Sequence, residues 1–90
     1  MQDEDAALAL RALGWIVSDE PRADRLLATT GLDPEGLRAS LGDRRALAAI
    51  LSFLTAYEAD LVACADAIDV APEALAAAAA RLDGNQRLDA

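Results

Sequence analysis

Apolar residues along this chain recur at the three- and four-residue spacing of amphipathic helices, in six segments separated by Gly, Pro and Asp. This pattern predicts an all-α protein, a compact bundle of five to six short helices with the last two in a helix-turn-helix-like arrangement. We expect a single helical domain over residues 1–84. Residues 85–90 have no packing reason to be ordered and are predicted to form a disordered tail.

The first predicted helix, residues 3–17, is apolar on nearly all sides. One stripe consists of Ala6, Ala9, Leu10, Leu13, Ile16 and Val17, and a second of Leu8, Ala12 and Trp15. The strip left for solvent runs through Glu4, Arg11, Gly14 and Ser18. Such a helix is either central in the core or partly covered by a partner. The central position is favoured because the chain has only 90 residues.

Asp, Pro and Gly residues mark the ends of the remaining helices. Asp is a strong N-cap, Pro suits the first helical position, and Gly commonly follows a helix end. The predicted caps are Ser18 or Asp19, Asp33, Asp43 and Asp60, with Pro72 opening the sixth helix. The predicted stops are Gly31, Gly42 and Gly84, and the fourth helix is expected to reach about Tyr57.

The segment from residue 61 to 82 has the spacing of a helix-turn-helix unit. Asp69 falls where such a turn usually needs a positive φ, which Asp tolerates better than most residues. Val70 is expected to fill the corner between the two helices. The predicted inward residues are Cys64, Ala65 and Ile68 on the first helix and Leu75, Ala78 and Leu82 on the second.

The outer face of the second helix in this unit carries no group that reads DNA bases. Its residues are Glu73, Ala76, Ala77 and Ala80, and the nearest base is Arg81. None of the four makes the bidentate contacts that distinguish bases in the major groove. We therefore interpret them as candidate partner-binding residues of a non-catalytic protein-interaction module. The alternative is a transcription-related DNA-binding protein that keeps helix-turn-helix geometry and uses Arg22, Arg25, Arg44 and Arg45.

Two segments, one in each half of the chain, are weakly similar in sequence. Gly31-Leu32-Asp33-Pro34-Glu35-Gly36-Leu37 is similar to Asp69-Val70-Ala71-Pro72-Glu73-Ala74-Leu75. Each stretch has a corner hydrophobe, a Pro-Glu helix start and a Leu that packs back. Helices two and three are therefore candidates for a second bent pair, although Leu27 stands where the later unit has the small Ala65.

Composition narrows the classes of function. Eight Arg and no Lys against 16 acidic residues give a net charge of −8, which disfavours nucleic acid and anionic membranes as partners. There is no His and one Cys, so we predict no enzyme activity, no cofactor and no metal site. The acidic N-terminus lacks a signal-peptide pattern, and no apolar stretch is long enough to span a bilayer. We expect a cytoplasmic protein and favour a monomer.

Several stretches of the chain together resemble one bacterial family. They are Leu13-Gly14-Trp15-Ile16, Thr30-Gly31-Leu32 and Asp60-Leu61-Val62-Ala63-Cys64-Ala65, within a similarity that runs from about Ala6 to Leu82. The family is the one catalogued as domain of unknown function 3572. The resemblance implies an all-helical, cytoplasmic bacterial protein. It implies no activity and no ligand, and it carries over no functional residue.

Overall fold

The computed structural model describes residues 2–83, which fold into six helices and contain no strand. The helices are α1 (Gln2–Val17), α2 (Glu20–Thr30), α3 (Pro34–Ala39), α4 (Arg44–Thr55), α5 (Glu58–Ala67) and α6 (Pro72–Leu82). The predicted all-α bundle is confirmed. The tail predicted over residues 85–90 and the stop predicted at Gly84 lie outside the described residues.

Three aspartates cap helices as predicted. The side chain of Asp19 accepts a hydrogen bond from the backbone N–H of Arg22 at 3.1 Å, and Asp43 accepts one from Arg45 at 3.0 Å. Asp33 accepts one from the N–H of Gly36 at 2.6 Å. Each carboxylate satisfies a backbone donor that has no partner within its helix, which fixes where α2, α3 and α4 begin.

Two of the predicted boundaries are wrong. Asp60 does not cap α5, because that helix begins at Glu58 after a sharp bend of 110° from α4, and Tyr57 is its N-cap residue. Asp60 lies in the first turn and pairs with Arg25 instead. Helix α3 ends at Ala39 rather than near Gly42, since the Ser40 hydroxyl donates to the Leu37 carbonyl and competes with a further helical turn.

Segments 31–37 and 69–75, which are similar in sequence, share an unusual backbone feature. Gly31 has a φ of 75° and Asp69 a φ of 63°, and they occupy equivalent positions in the two segments. The prediction of a positive φ at Asp69 is confirmed. In both cases a Pro opens the helix that follows, Pro34 in α3 and Pro72 in α6. The same left-handed turn therefore leads into both helices.

The core lies between α1, α4 and α6, which pack against one another most extensively. The predicted stripe of Leu75, Ala78 and Leu82 is buried, and Cys64 and Ala65 are buried on α5 as predicted. Helix α4 alone supplies six buried residues: Leu47, Ala48, Ile50, Leu51, Phe53 and Leu54. Within residues 2–83, no helix by itself is long and apolar enough to cross a membrane, although α4 and α5 joined across their bend reach that length and composition.

Helix α1 is only partly enclosed. It packs against α2, α4, α5 and α6, in agreement with the predicted central position. However, Leu10 and Val17, which the sequence pattern placed in a buried stripe, are 42% and 48% exposed. The neighbouring α3 is only six residues long, buries only Leu37, and has few close backbone contacts with α2 or any other helix. One side of α1 is therefore left uncovered.

Candidate functional site

The uncovered side of α1 forms one wall of an apolar groove of about 490 Å³. We call it the leucine groove, and it is lined by Leu10, Leu13, Gly14, Val17, Ala23, Leu26, Leu27, Pro34, Leu37, Arg38 and Leu41. Arg38 is the only charged residue in this lining. The volume and the mostly apolar lining are typical of sites that bind a ligand or a peptide segment.

The two similar parts of the chain, around residues 27–37 and 65–75, differ in packing, and the leucine groove lies beside the first of them. In the C-terminal half, the small Ala65 is buried and α6 packs against α5. In the N-terminal half, the equivalent position holds the larger Leu27, whose side chain lines the groove, and the backbones of α2 and α3 have few close contacts. This groove was not predicted from the sequence. The signal that pointed to it was the helix α1 itself, because apolar residues on all sides are also typical of a helix left for a partner.

The residues predicted to bind a partner all lie at the surface of α6. Glu73, Ala76, Ala77 and Ala80 are exposed and share one side of the helix. We call them the alanine face. The positions i, i+3, i+4 and i+7 follow one another along the helix axis, and three small side chains make the face flat. The structure thus brings the four predicted residues together on one accessible surface.

The alanine face borders a second, shallower groove of about 290 Å³ between α5 and α6. We call it the glutamate groove, and it is lined by Glu58, Leu61, Val62, Pro72, Glu73 and Ala76. Val62 is 47% exposed and is the largest apolar side chain at this surface that is open to solvent. Both charged residues in the lining are glutamates, so this groove differs from the leucine groove in the sign of its charge.

The four arginines proposed for DNA contact do not converge. Arg25 pairs with Asp60 at 3.1 Å and lies over the rings of Phe53 and Tyr57, near the C-terminal end of α4. Arg44 and Arg45 begin α4, about 16 Å away along a helix of this length. Arg22 stacks on the Trp15 ring at 3.6 Å. Arg44 donates to a backbone carbonyl of α6, so three of the four are engaged within the protein.

Arg11 and Arg44 stabilise helix C-termini. The guanidinium of Arg11 donates to the carbonyl of Ile68 at the end of α5. Arg44 donates to the carbonyl of Arg81 in the last turn of α6 at 2.6 Å. A positive charge at the negative end of a helix dipole is favourable, and the last carbonyls gain a donor. These arginines hold α1 to α5 and α4 to α6.

Arg81 forms a two-bond ion pair with Asp5, with both N···O distances at 2.8 Å. Asp5 is only 5% exposed, and its hydrogen bonds from Arg81 lower the pKa of its carboxyl below the usual value, although burial opposes the shift. The pair joins α1 to α6. Arg81, the base nearest to the predicted partner-binding residues of α6, is thus engaged in a contact within the protein.

Cys64 lies in the core and is fully buried. Burial raises the pKa of its thiol to about 11, and the nearby Arg22 acts in the opposite direction. At neutral pH the side chain is a protonated thiol, whereas a nucleophile or metal ligand needs the thiolate. The expectation that Cys64 serves as a small core hydrophobe agrees with this position. Among the side chains that the structure describes, no three Asp, Glu or Cys residues are grouped as a metal site.

Comparison with known proteins supports the resemblance seen in the sequence. The chain matches the model of a family described as "Protein of unknown function (DUF3572)" over residues 2–85. No curated protein and no solved structure gives a match. Since the matched residues make up nearly the whole chain, the protein belongs to the DUF3572 family of proteins of unknown function.

Proposed function

We propose that this domain is a non-catalytic protein-interaction module. The observation that carries the proposal is the leucine groove, where Leu10 and Val17 stand 42% and 48% exposed beside a cavity of about 490 Å³. A contiguous apolar surface in contact with water costs free energy, and on soluble proteins it commonly marks a binding site. A partner segment with aliphatic side chains would cover both residues.

The alanine face on α6 supports the same function with a second surface. Its small side chains permit close approach of another helix, since the distance between packed helices is set by the residues at the contact. Val62 and the glutamate groove extend this surface towards α5. The domain therefore offers two separate apolar surfaces, one lined by leucines and one by alanines.

The proposal that the domain is non-catalytic is supported by the types of side chain in the sequence and by their positions. The sequence has no His, which is the most common general base and acid. Its single thiol is buried with a raised pKa. The charged residues of the leucine and glutamate grooves, one Arg in the first and two Glu in the second, belong to surfaces rather than to an enclosed site. The predicted cytoplasmic location stays a prediction.

DNA binding has less support than protein binding. Phosphate contacts by Lys and Arg supply most nucleic-acid affinity. Arg22, Arg25 and Arg44 are already engaged, and the alanine face carries a carboxylate where a DNA-reading helix presents donors. We therefore expect no retardation of duplex DNA in a gel shift at low salt. Retardation that disappears in an Arg44→Ala/Arg45→Ala variant would favour DNA binding instead.

Site-specific photo-cross-linking in the native cell tests the proposal. A photoreactive residue replaces Val17 in the leucine groove or Ala76 on the alanine face, with Ala28 as the matched control. Ala28 is an exposed alanine on α2, away from both surfaces. We expect discrete protein adducts from Val17, Ala76 or both, and none from Ala28. If neither position gives adducts beyond those of Ala28, the domain is not an interaction module of this kind.

A further inference from the structure

The glutamate groove combines apolar contact with charge of one sign. Its floor and walls come from Leu61, Val62, Pro72 and Ala76, and its charged edges are Glu58 and Glu73. Glu58 lies in the first turn of α5 and Glu73 in the first turn of α6. Carboxylates from two different helices therefore border the same apolar surface.

Neither glutamate has an ion-pair partner within residues 2–83. Asp60 and Arg81 on the same two helices are engaged elsewhere, because Asp60 pairs with Arg25 and Arg81 pairs with Asp5. Arg11 contacts the far end of α5 from Glu58, about 15 Å along the helix. The groove thus keeps two negative charges that an external cation can neutralise.

The two negative charges determine which kind of partner this groove can bind. A second copy of the chain packed symmetrically on this surface would bring four glutamates together, and like charges in contact are repulsive. Nucleic acid and anionic lipid are repelled for the same reason. A partner segment with Lys or Arg is attracted, and its aliphatic residues are matched by Val62.

The shape of the surface favours a helical occupant. Ala76, Ala77 and Ala80 form a flat strip along α6. Small residues at a contact let helix axes approach to about 8 Å. A partner in β conformation would need a sheet edge, and residues 2–83 contain no strand.

We propose, building on the function proposed above, that the glutamate groove and the alanine face bind a basic amphipathic helix. The apolar side of that helix packs on Val62 and Ala76, and its Lys or Arg side chains pair with Glu58 and Glu73. The leucine groove has only Arg38 in its lining and does not select for basic residues.

A designed peptide probes this surface on the full chain. The probe is a helix of about 18 residues with Leu and Ala on one side and Lys flanking them. A second peptide replaces every Lys with Glu. Binding is measured by calorimetry, and the site is located from backbone amide shifts in NMR spectra. We expect the basic peptide to bind with shifts concentrated on α5 and α6, and the acidic peptide not to bind.

Two double variants distinguish the effect of the groove carboxylates from the effect of the net charge of the protein. Glu58→Gln/Glu73→Gln removes both carboxylates of the groove, whereas Glu20→Gln/Glu35→Gln removes two first-turn glutamates of α2 and α3. Both variants change the net charge equally. We expect the first to weaken peptide binding by about five-fold, as two exposed ion pairs supply, and the second by less than about two-fold.

Three outcomes would overturn the inference: equal weakening in the two double variants, binding of the acidic peptide, or amide shifts located at the leucine groove. A thermal melt of each variant confirms that the fold is retained. If the peptide does not bind while Val17 gives adducts in the cell, this inference fails and the proposed interaction function stands.

Discussion

Helix pairs α2–α3 and α5–α6 begin from the same local chemistry and end in different packing. Both contain a left-handed residue, Gly31 or Asp69, followed by a Pro that starts the next helix. Helix α6 then packs against α1, α4 and α5, whereas the six-residue α3 has few close backbone contacts with any helix and buries only Leu37. The turn sets the direction of the chain, while the length and the apolar stripe of the second helix decide how closely the two helices pack. We call α2–α3 the open pair and α5–α6 the closed pair.

The open pair creates the surface on which the proposed function rests. In this pair Leu27 lines the leucine groove, and Leu10 and Val17 remain uncovered beside the six-residue α3. In the closed pair, the small Ala65 allows close packing, and the exposed surface lies on the outer side of α6. Two weakly similar segments of sequence thus accompany a leucine-lined groove in one half and an alanine-rich face in the other.

The largest expected difference between the two pairs is in the cost of removing equivalent core leucines. Leu75 is fully buried in α6, and Leu37 is its counterpart in α3 at the wall of the leucine groove. We expect Leu75→Ala to lower the free energy of unfolding by about 3 kcal/mol, within the usual range for a buried Leu. Leu37→Ala should cost about 1–2 kcal/mol, because solvent can enter the space it leaves.

Urea unfolding followed by circular dichroism measures both values. Leu75→Val and Leu37→Val provide a milder pair if the alanine variant of Leu75 does not fold. Equal costs at the two positions would mean that α3 is packed as tightly as α6.

The ion pair between Asp5 and Arg81 anchors the closed pair to α1, and the described part of α3 has no comparable link. Because Arg81 lowers the pKa of Asp5 in the folded state, the stabilisation is complete above the unfolded pKa near 4. It is lost as pH falls through the folded value. We expect Asp5→Asn to be less stable than the parent at pH 7, with a difference that shrinks below about pH 4.

Unfolding in urea at a series of pH values tests this sign. Asp24→Asn is the matched control, since Asp24 is exposed on α2 and has no ion pair within residues 2–83. A gap between Asp5→Asn and the parent that stays constant down to pH 3 would contradict the role assigned to the pair.

The smallest expected effects are at the two left-handed turns. No atom lies within 4 Å of a Cβ placed on Gly31, so Gly31→Ala changes only the backbone energy. We expect it to destabilise the protein by about 1 kcal/mol. Asp69→Gly should stabilise it by about 0.5 kcal/mol or leave it unchanged, because Gly adopts a positive φ without strain but gains entropy when unfolded.

Thermal unfolding of both single variants measures whether Gly31→Ala lowers the stability and Asp69→Gly does not. Destabilisation by Asp69→Gly as large as that by Gly31→Ala would show that the Asp69 side chain, rather than its backbone, supports the turn.

Local features of this fold could be predicted from the sequence. The caps at Asp19, Asp33 and Asp43 and the positive φ at Asp69 depend on residues a few positions away. The stripe of buried residues on α6 and the exposure of the alanine face followed from helical spacing. Each of these features is set by chemistry that neighbouring residues carry.

The features that were missed depend on contacts between distant parts of the chain. Asp5 and Arg81 are 76 residues apart, and Arg11 reaches a carbonyl 57 residues away. No spacing rule identifies such partners. The leucine groove was missed because it depends on how little α3 packs, and the pattern of α1 alone is equally consistent with full burial. The Asp60 cap was wrong because α5 begins directly after α4, with no Gly or Pro between them.

Amide hydrogen exchange compares the open and closed pairs most directly. We expect the amides of Leu37, Arg38 and Ala39 in α3 to exchange through local opening, at free energies well below that of global unfolding. The amides from Leu75 to Ala79 in α6 should exchange only when the whole domain unfolds. Equal protection of the two helices would contradict the difference in packing, and with it the origin of the leucine groove.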